Sequence, residues 1–310
     1  MKNESFITII CLYLLMTGSI EANKHQILKA KIDYYKNGRI EAKGGMRNGK
    51  RNGFWIGFYE SGEKRYEGSY QDGKKHGPWV YWHENGVEQS EFTYVQGLLH
   101  GKWISWYSNG QIRSQGMFRS DKRTGFWEWF YPDGKRMYSA SYKKGLFHGN
   151  WSAWYRNGII REEGRYFKGM KHGSWNKYYK SGAIQYEENY RNGKRNGKWT
   201  NWYENESVRY KGQYLTDKPD GVWIRFYPNG RVSEKSRYVN GVLDGIWQTW
   251  FKNGRKKESG VFHLGKRSGV WRQWSEEGEL KREDIIAVTE TDSDSDTGTF
   301  SDTDAVSFLK

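Results

Sequence analysis

Four histidines stand directly before a glycine, separated by 24 residues or a multiple of 24, and imidazole nitrogens are common zinc ligands. These are His76, His100, His148 and His172. If each unit adds two strands to a sheet, neighbouring histidines lie ~10 Å apart, whereas zinc holds its ligand nitrogens at about 2 Å. Other units carry small or polar hydrogen-bonding residues at this position: Asn52, Thr124, Asn196, Asp220, Asp244 and Ser268. We therefore predict a role in turns and no metal site.

Pairs of basic residues recur at nearly the same interval: Lys50 and Arg51, Lys74 and Lys75, Lys122 and Arg123, Lys143 and Lys144, Lys194 and Arg195, and Lys266 and Arg267. Residues at a constant interval line one edge of a repeat array, so the pattern predicts a positive edge. Such an edge suits an anionic lipid surface, an acidic polymer or an acidic partner, with binding that weakens in salt. A solvated edge whose charge prevents pairing with another sheet explains the same pattern.

The residues that catalysis would need do not occur together in the sequence. There is no Gly-x-Ser-x-Gly, no His-Glu-x-x-His and no Gly-x-x-x-x-Gly-Lys-Ser/Thr. The adjacent pairs Glu162-Glu163 and Glu187-Glu188 fall in predicted strands, where neighbouring side chains point to opposite faces. The only cysteine is Cys11. We expect no enzymatic activity, no catalytic residue and no cofactor.

The motif Gly-x-Trp occurs ten times, and each step between its tryptophans is 24 residues: Trp55, Trp79, Trp103, Trp127, Trp151, Trp175, Trp199, Trp223, Trp247 and Trp271. A constant interval means that every unit contacts its neighbours in the same way. Aromatic residues make up 17% of the chain and aliphatic residues are sparse. We therefore expect the core to be built mainly from aromatic side chains.

Each unit reads as a β-hairpin. The aromatic and β-branched run Trp103–Tyr107 is followed by Asn109-Gly110, a dipeptide that tolerates the positive φ of a tight turn. Asn205-Glu206 departs from this rule, so we expect local strain or a different loop there. The return strand ends in an aromatic residue, and two residues earlier most units have a small one. We hypothesise that a tryptophan of the adjacent strand lies over that small residue.

A second aromatic row lies three residues after the repeated tryptophans, and strand alternation places it on the opposite face. This candidate aromatic face comprises Trp82, Trp106, Phe130, Trp154, Tyr178, Trp202, Phe226 and Trp250. A single-layer sheet does not bury both of its faces, so exposure for binding, self-association as a homodimer, and burial by curling all remain open. The predicted fold class is all-β: an elongated single-sheet solenoid of antiparallel β-hairpin repeats with a 24-residue period.

The stretch Tyr66–Gly77, which reads YEGSYQDGKKHG, closely resembles the MORN repeat. The following Trp79, Trp82 and Asn85-Gly86 make it most similar to the MORN-repeat variant common in bacterial proteins. The resemblance extends over about residues 32–282. It implies a scaffold that associates with membranes, phosphoinositides or protein partners, or in some bacterial members an antitoxin, and it implies no catalytic residues.

Four segments differ in composition. Residues 1–22 contain the apolar run 6–16 and predict a signal peptide, or alternatively an N-terminal membrane anchor. Residues 23–52 form a partial repeat that we expect to cap the array at 53–283. Residues 284–310 hold seven acidic residues against one lysine and predict a disordered tail.

An exported scaffold that binds a protein partner or an anionic membrane surface, in the periplasm, at the cell surface or outside the cell, is therefore the leading hypothesis. A glycan or cell-wall binding protein is the second, because rows of tryptophan and tyrosine stack on sugar rings. An antitoxin-type protein-binding partner is the third, and it fits export poorly. Basic loops among aromatic residues also suit nucleic acid, but an exported protein rarely meets it, so we expect none.

Overall fold

The computed structural model describes residues 28–287. The predicted signal peptide at 1–22, with Cys11, lies outside these residues, as do residues 288–310 of the predicted acidic tail. The described chain divides into two compact units. The first contains the residues up to Lys135 together with Tyr142–Gly145, and the second contains Arg136–Ser141 together with the residues from Leu146 onward.

All regular elements of residues 28–287 are strands of one open antiparallel sheet, as predicted. Strands that pair are successive in the chain, except that β14 also pairs with β16 and β19 also pairs with β21, each beyond a two-residue strand. The first unit holds β1 Lys29–Tyr34, β2 Ile40–Arg47, β3 Lys50–Phe58, β4 Lys64–Gln71, β5 Lys74–Trp82, β6 Glu88–Val95, β7 Leu98–Trp106, β8 Ile112–Arg119 and β9 Lys122–Phe130. Strand β10 Arg136–Lys143 has residues in both units. The second unit then holds β11 Leu146–Trp154, β12 Ile160–Phe167, β13 Met170–Tyr178, β14 Ile184–Arg191, β15 Lys194–Arg195, β16 Gly197–Trp202, β17 Val208–Leu215, β18 Lys218–Phe226, β19 Val232–Val239, β20 Val242–Leu243, β21 Gly245–Trp250, β22 Lys256–His263, β23 Lys266–Trp274 and β24 Leu280–Ile286.

Two kinds of hairpin loop alternate along the chain. The first is the predicted Asn-Gly loop, in which Gly110 donates its N–H to the carbonyl of Tyr107 at 2.9 Å. Only the glycine has a positive φ, +83° at Gly110, so this is a type I turn followed by a left-handed residue. Asn109 contributes through its side chain instead, accepting from the N–H of Gln111 and donating to the carbonyl of Pro132. The asparagine therefore ties one hairpin to the next.

The loop at Asn205-Glu206 has the same form as the others. Tyr203 donates its N–H to Ser207, and Glu206 donates to Tyr203, as in the Asn-Gly loops. The expectation of a different loop is wrong. Glu206 has a φ of +63°, a conformation in which a side chain with a Cβ is strained, so the expected strain is present.

The second kind of loop is a two-residue turn that sequence analysis did not recognise. In the first unit Asp72 and Gly73 join β4 to β5, with φ values of +49° and +83°, and Gln71 pairs with Lys74. Two positive φ values define a type I′ turn, whose twist matches that of the flanking strands. The same turn recurs through both units, for example at Asn192-Gly193.

The tryptophans lie on glycines of the preceding strand, as hypothesised. A Cβ added to Gly68 would lie 2.2 Å from the ring of Trp79, so only glycine allows this contact. The same close approach occurs at Gly44, Gly116, Gly164, Gly212 and Gly260. The aromatic residue of the return strand fills the space between tryptophans: the ring of Tyr70 is edge-on to Trp55 at 6.1 Å and to Trp79 at 5.0 Å.

Burial of most core tryptophans follows the residue beneath them; Trp223 is the exception, because it lies over Gly212 and is partly exposed. Trp55, Trp79, Trp127, Trp175 and Trp271 lie over glycine and are at most 2% exposed. Where Phe92, Ala140, Glu188 or Ser236 replaces glycine, the tryptophans above are partly exposed: Trp103, Trp151, Trp199 and Trp247. Glycine therefore allows deep burial in a single sheet layer.

The substitution Gly116→Ala should destabilise the sheet, because its Cβ would meet Trp127 at 2.1 Å. We expect a loss of about 1–3 kcal/mol in the free energy of unfolding, measured by chemical denaturation. Ser236→Ala alters the equivalent position beneath Trp247, where a side chain is already accommodated, and should have little effect. Equal stability of the two variants would contradict the packing described above.

The substitution Glu206→Gly should raise the melting temperature. It relieves about 1 kcal/mol of backbone strain, which exceeds the smaller entropic cost of glycine in the unfolded chain. The reverse change, Gly62→Glu, at the equivalent loop position with a φ of +100°, should lower the melting temperature. Thermal unfolding of both variants checks the prediction, and a shift of the same sign in both would refute it.

Candidate functional site

The two members of most basic pairs occupy different positions in the structure. The first member, such as Lys50 or Lys74, is the first strand residue after a type I′ turn and is exposed. The second member covers the ring of a core tryptophan: the guanidinium of Arg51 lies 3.9 Å from the ring centroid of Trp55. The same contact is made by Lys75, Arg123, Arg195 and Arg267.

The pair Lys143 and Lys144 does not follow this pattern. Lys143 ends β10, and Lys144 is the first residue of a type I′ turn with a φ of +54°. Lys171 covers Trp175 at 3.9 Å, although sequence analysis did not select it. Lys171 lies four residues before the Gly-x-Trp tryptophan Trp175, as Arg51 does before Trp55, and this spacing could have identified it.

The residues over the tryptophans stabilise the core. A cation over an indole ring contributes about 0.5–2 kcal/mol, and apolar residues occupy the same position in other units, namely Leu99, Phe147, Pro219 and Leu243. The ammonium group of Lys75 also donates to the hydroxyl of Tyr81 at 2.6 Å. Burial raises the pKa of Tyr81 to about 12, so this hydroxyl stays neutral at physiological pH.

The exposed residues within the type I′ turns and on either side of them form a surface that we call the turn edge. In the first unit its cations are Arg47, Lys50, Lys74, Arg119, Lys122, Lys143 and Lys144, and its apolar residues are Val95 and Leu98. In the second unit its cations are Lys168, Arg191, Lys194, Lys218 and Lys266, and its apolar residues are Leu146, Phe167, Met170, Leu215, Val239, Val242 and Leu264. Leu146 is 54% exposed and Leu264 is 68% exposed. In both units the turn edge therefore combines positive charge with exposed apolar side chains.

Carboxylates of these turns are bonded to neighbouring hairpins. Asp121 accepts from the N–H of Leu99 at 2.6 Å, and Asp217 accepts from the N–H and the guanidinium of Arg195. These hydrogen bonds from Arg195 lower the pKa of Asp217. The carboxylates thus serve the turns themselves.

Two of the four repeat histidines, His76 and His148, hydrogen-bond to the turns. The Nδ1 atom of His76 accepts from the N–H of Gln96, and that of His148 accepts from the N–H of Lys168, both at 3.5 Å. Asp220 accepts in the same way from Asn240. Within residues 28–287, histidine, cysteine and carboxylate side chains do not cluster into a group that could hold a metal ion.

All eight residues of the candidate aromatic face, from Trp82 to Trp250, are partly exposed at the ends of their strands. Lysine covers some of them, as where Lys64 lies 4.4 Å from the ring of Trp82. The backbone carbonyls of most of them accept from a tyrosine of the preceding hairpin loop, as Trp82 does from Tyr59 at 2.7 Å, and that of Trp106 is bonded to the Nε2 atom of His83 at 3.1 Å. The residues of the candidate aromatic face thus help to join successive repeats.

Together, the 24-residue hairpin unit and its aromatic core define an all-β repeat protein. The sequence model of the MORN repeat variant matches seven consecutive segments: 75–96, 99–120, 123–144, 147–168, 171–192, 195–215 and 219–240. The chain belongs to the MORN-repeat family, in its variant form.

Other comparisons add no relative that bears on function. A search of curated proteins gave no match. Among solved structures, TcdB2-TccC3-Cdc42 is similar at 10% identity and a TM-score of 0.18, covering 83% of this chain and 18% of that one. The Photorhabdus luminescens Tc holotoxin pore is similar at 11% identity and a TM-score of 0.18, covering 85% of this chain and 16% of that one. This chain thus spans under a fifth of the length of those proteins. TM-scores this low support no comparison of fold or function.

Replacing Lys75 should distinguish a structural cation from a surface one. Lys75→Ala removes the cover of Trp79 and should lower the free energy of unfolding by about 1 kcal/mol. Lys75→Leu should retain most of the stability, because Leu99 holds the equivalent position. Lys74→Ala, at the exposed neighbour, should change stability little. Denaturation midpoints that are equal for Lys75→Ala and Lys74→Ala would disprove the assignment.

Proposed function

We propose that this protein is a non-enzymatic scaffold that binds an anionic phospholipid surface through its turn edge. The observation that carries the proposal is the combination of exposed cations and exposed apolar side chains on either side of the type I′ turns. The family supports the coarser statement, since MORN repeats are commonly protein-binding or lipid-binding scaffolds and generally lack catalytic activity.

Each kind of side chain at the turn edge supplies a different part of membrane affinity. Cations near an anionic bilayer contribute about 1 kcal/mol each, within a Debye length of about 10 Å. Apolar side chains such as Leu146, Leu215 and Leu264 can enter the boundary between headgroups and acyl chains. Stable peripheral binding takes two such signals. A purely acidic protein partner would not need the exposed leucines, so their presence favours lipid.

No helix among residues 28–287 is long and apolar enough to cross a membrane. Binding through the turn edge is peripheral and needs no such helix. Export forms part of the proposal and depends on the predicted signal peptide at 1–22. N-terminal sequencing of the mature protein tests it, with a start near Asn23 as the expected result and an intact Met1 as the opposing one.

Cosedimentation with vesicles tests the lipid proposal. The protein should bind vesicles that contain phosphatidylglycerol, should not bind pure phosphatidylcholine vesicles, and should lose affinity as salt is raised. A triple variant with Lys50→Gln, Lys74→Gln and Lys122→Gln should lose binding by about fivefold for each cation removed. The triple variant Leu146→Asn, Leu215→Asn and Leu264→Asn should also bind more weakly.

Lys102→Gln with Lys198→Gln is the matched control, because both lysines are exposed but lie away from the turn edge. This double variant should sediment with vesicles nearly as well as the unsubstituted protein. Equal loss in the control and the edge variants, or binding that does not depend on salt, would refute a role for the turn edge. Sedimentation with insoluble polysaccharide in place of vesicles would instead support the glycan-binding hypothesis.

A further inference from the structure

The two edge strands of the sheet, β1 and β24, each have one side open to another strand. β1 pairs with β2 and β24 pairs with β23, and neither has a second neighbouring strand within residues 28–287. The open side of an edge strand presents backbone N–H and C=O groups that can pair with a further strand. β24 is a return strand with no repeat after it, and β1 is the first strand of a partial repeat with none before it.

The repeat itself specifies how a return strand pairs with the first strand of the next repeat. Where β4 meets β5, Tyr66 lies opposite Tyr81, and Gly68 lies opposite Trp79. Every position recurs after 24 residues, so the same register can be applied to β24 of one copy and β1 of another. Counted in whole repeats, the facing residues are Arg282 opposite Asp33 and Asp284 opposite Lys31.

Both of these facing pairs join opposite charges. Residues directly opposite each other in antiparallel strands share a face of the sheet and contact each other. Within the separate strands, Lys31 lies 3.6 Å from Asp33, and Arg282 lies 2.8 Å from Asp284. The exposed fractions of these four side chains range from 30% to 65%, so they can reach another strand. Pairing would bring the two ion pairs together as four charges of alternating sign.

The two edges depart from the repeat at the same facing positions. All ten Gly-x-Trp repeats have tryptophan where β1 has Lys31, and several return strands have glycine, such as Gly260, where β24 has Asp284. The combination of a lysine with an aspartate at these positions is therefore confined to the two edges.

An apolar pair extends the match on the opposite face of the sheet. Ser69 lies opposite His76 in the repeat, and the equivalent edge residues are Ile285 and Leu28. Ile285 is 81% exposed and Leu28 is 46% exposed. Pairing of the two edges would bring these side chains together and remove apolar surface from water.

We propose that copies of this protein associate head to tail, with β24 of one copy pairing antiparallel with β1 of the next. This interface is heterologous, so each pair of copies keeps one free β1 and one free β24, and association can continue beyond a dimer. None of the residues concerned belongs to the turn edge, so the association does not require lipid. Two β1 strands or two β24 strands could also join opposite charges, but the register of the repeat applies only to β24 with β1.

Reversal of one charge in each edge strand tests the proposal. Lys31→Asp places a carboxylate opposite Asp284, and Asp284→Lys places an ammonium group opposite Lys31. Each change should weaken association by about tenfold, whereas the double variant restores opposite charges and should recover it. Lys102→Asp, at an exposed position of the interior strand β7, is the matched control and should associate like the unsubstituted protein. Sedimentation velocity over a concentration series, without lipid, is the measurement.

We expect the unsubstituted protein to form species larger than a dimer as its concentration rises. If either charge reversal lowers the denaturation midpoint, Ile285→Asn removes the apolar contact with Leu28 and should weaken association in the folded state. Pairing between two β1 strands would be broken by Lys31→Asp and unaffected by Asp284→Lys, and pairing between two β24 strands would show the reverse. Either of those patterns, a double variant that does not recover association, or a protein that stays monomeric at every concentration would overturn the proposal.

Discussion

A tryptophan ring is buried in this protein by a glycine of the neighbouring strand. Residues 28–287 form a single sheet, so their core has no second layer to cover it. The missing Cβ at Gly68 lets Trp79 lie against the backbone, Tyr70 closes one side edge-on, and Lys75 covers the ring. Each repeat thus completes the burial of its neighbour, and the constant 24-residue interval keeps these contacts in register.

Some repeats depart from this arrangement. Glu188 replaces glycine beneath Trp199, and Lys177 and Arg225 stand where Tyr81 and Trp129 stand in the first unit. The ladder of stacked rings is therefore interrupted in these repeats, where Lys177 lies over the ring of Tyr186 at 5.5 Å in place of a stacked aromatic residue. At the turn edge, by contrast, packing imposes few limits, so cations and leucines vary there from hairpin to hairpin.

Much of the fold could be predicted from the sequence, because Gly-x-Trp recurs without a break and, in most repeats, a small residue two before the return-strand aromatic marks where the ring lies. The type I′ turns were missed although Asp72-Gly73 and Asn192-Gly193 carry the usual signature, because other repeats have pairs such as Thr216-Asp217 and Lys144-Gly145 at this position and the signature is not periodic. The basic pairs looked equivalent, yet alternation in the strand places Lys74 in solvent and Lys75 over a ring. Apolar residues of the turn edge such as Leu98, Leu146 and Met170 recur at multiples of 24 residues, but lysine holds the same position in other repeats, so the pattern of basic pairs did not reveal them.

Hydrogen exchange of the indole N–H groups, followed by nuclear magnetic resonance on protein with labelled tryptophan, tests the central packing claim most directly. Trp55, Trp79, Trp127 and Trp175 lie over glycine and donate to a backbone carbonyl of the adjacent strand. Their indole protons should exchange far more slowly than those of the partly exposed Trp103, Trp151 and Trp247. Similar exchange rates in both groups would contradict the account.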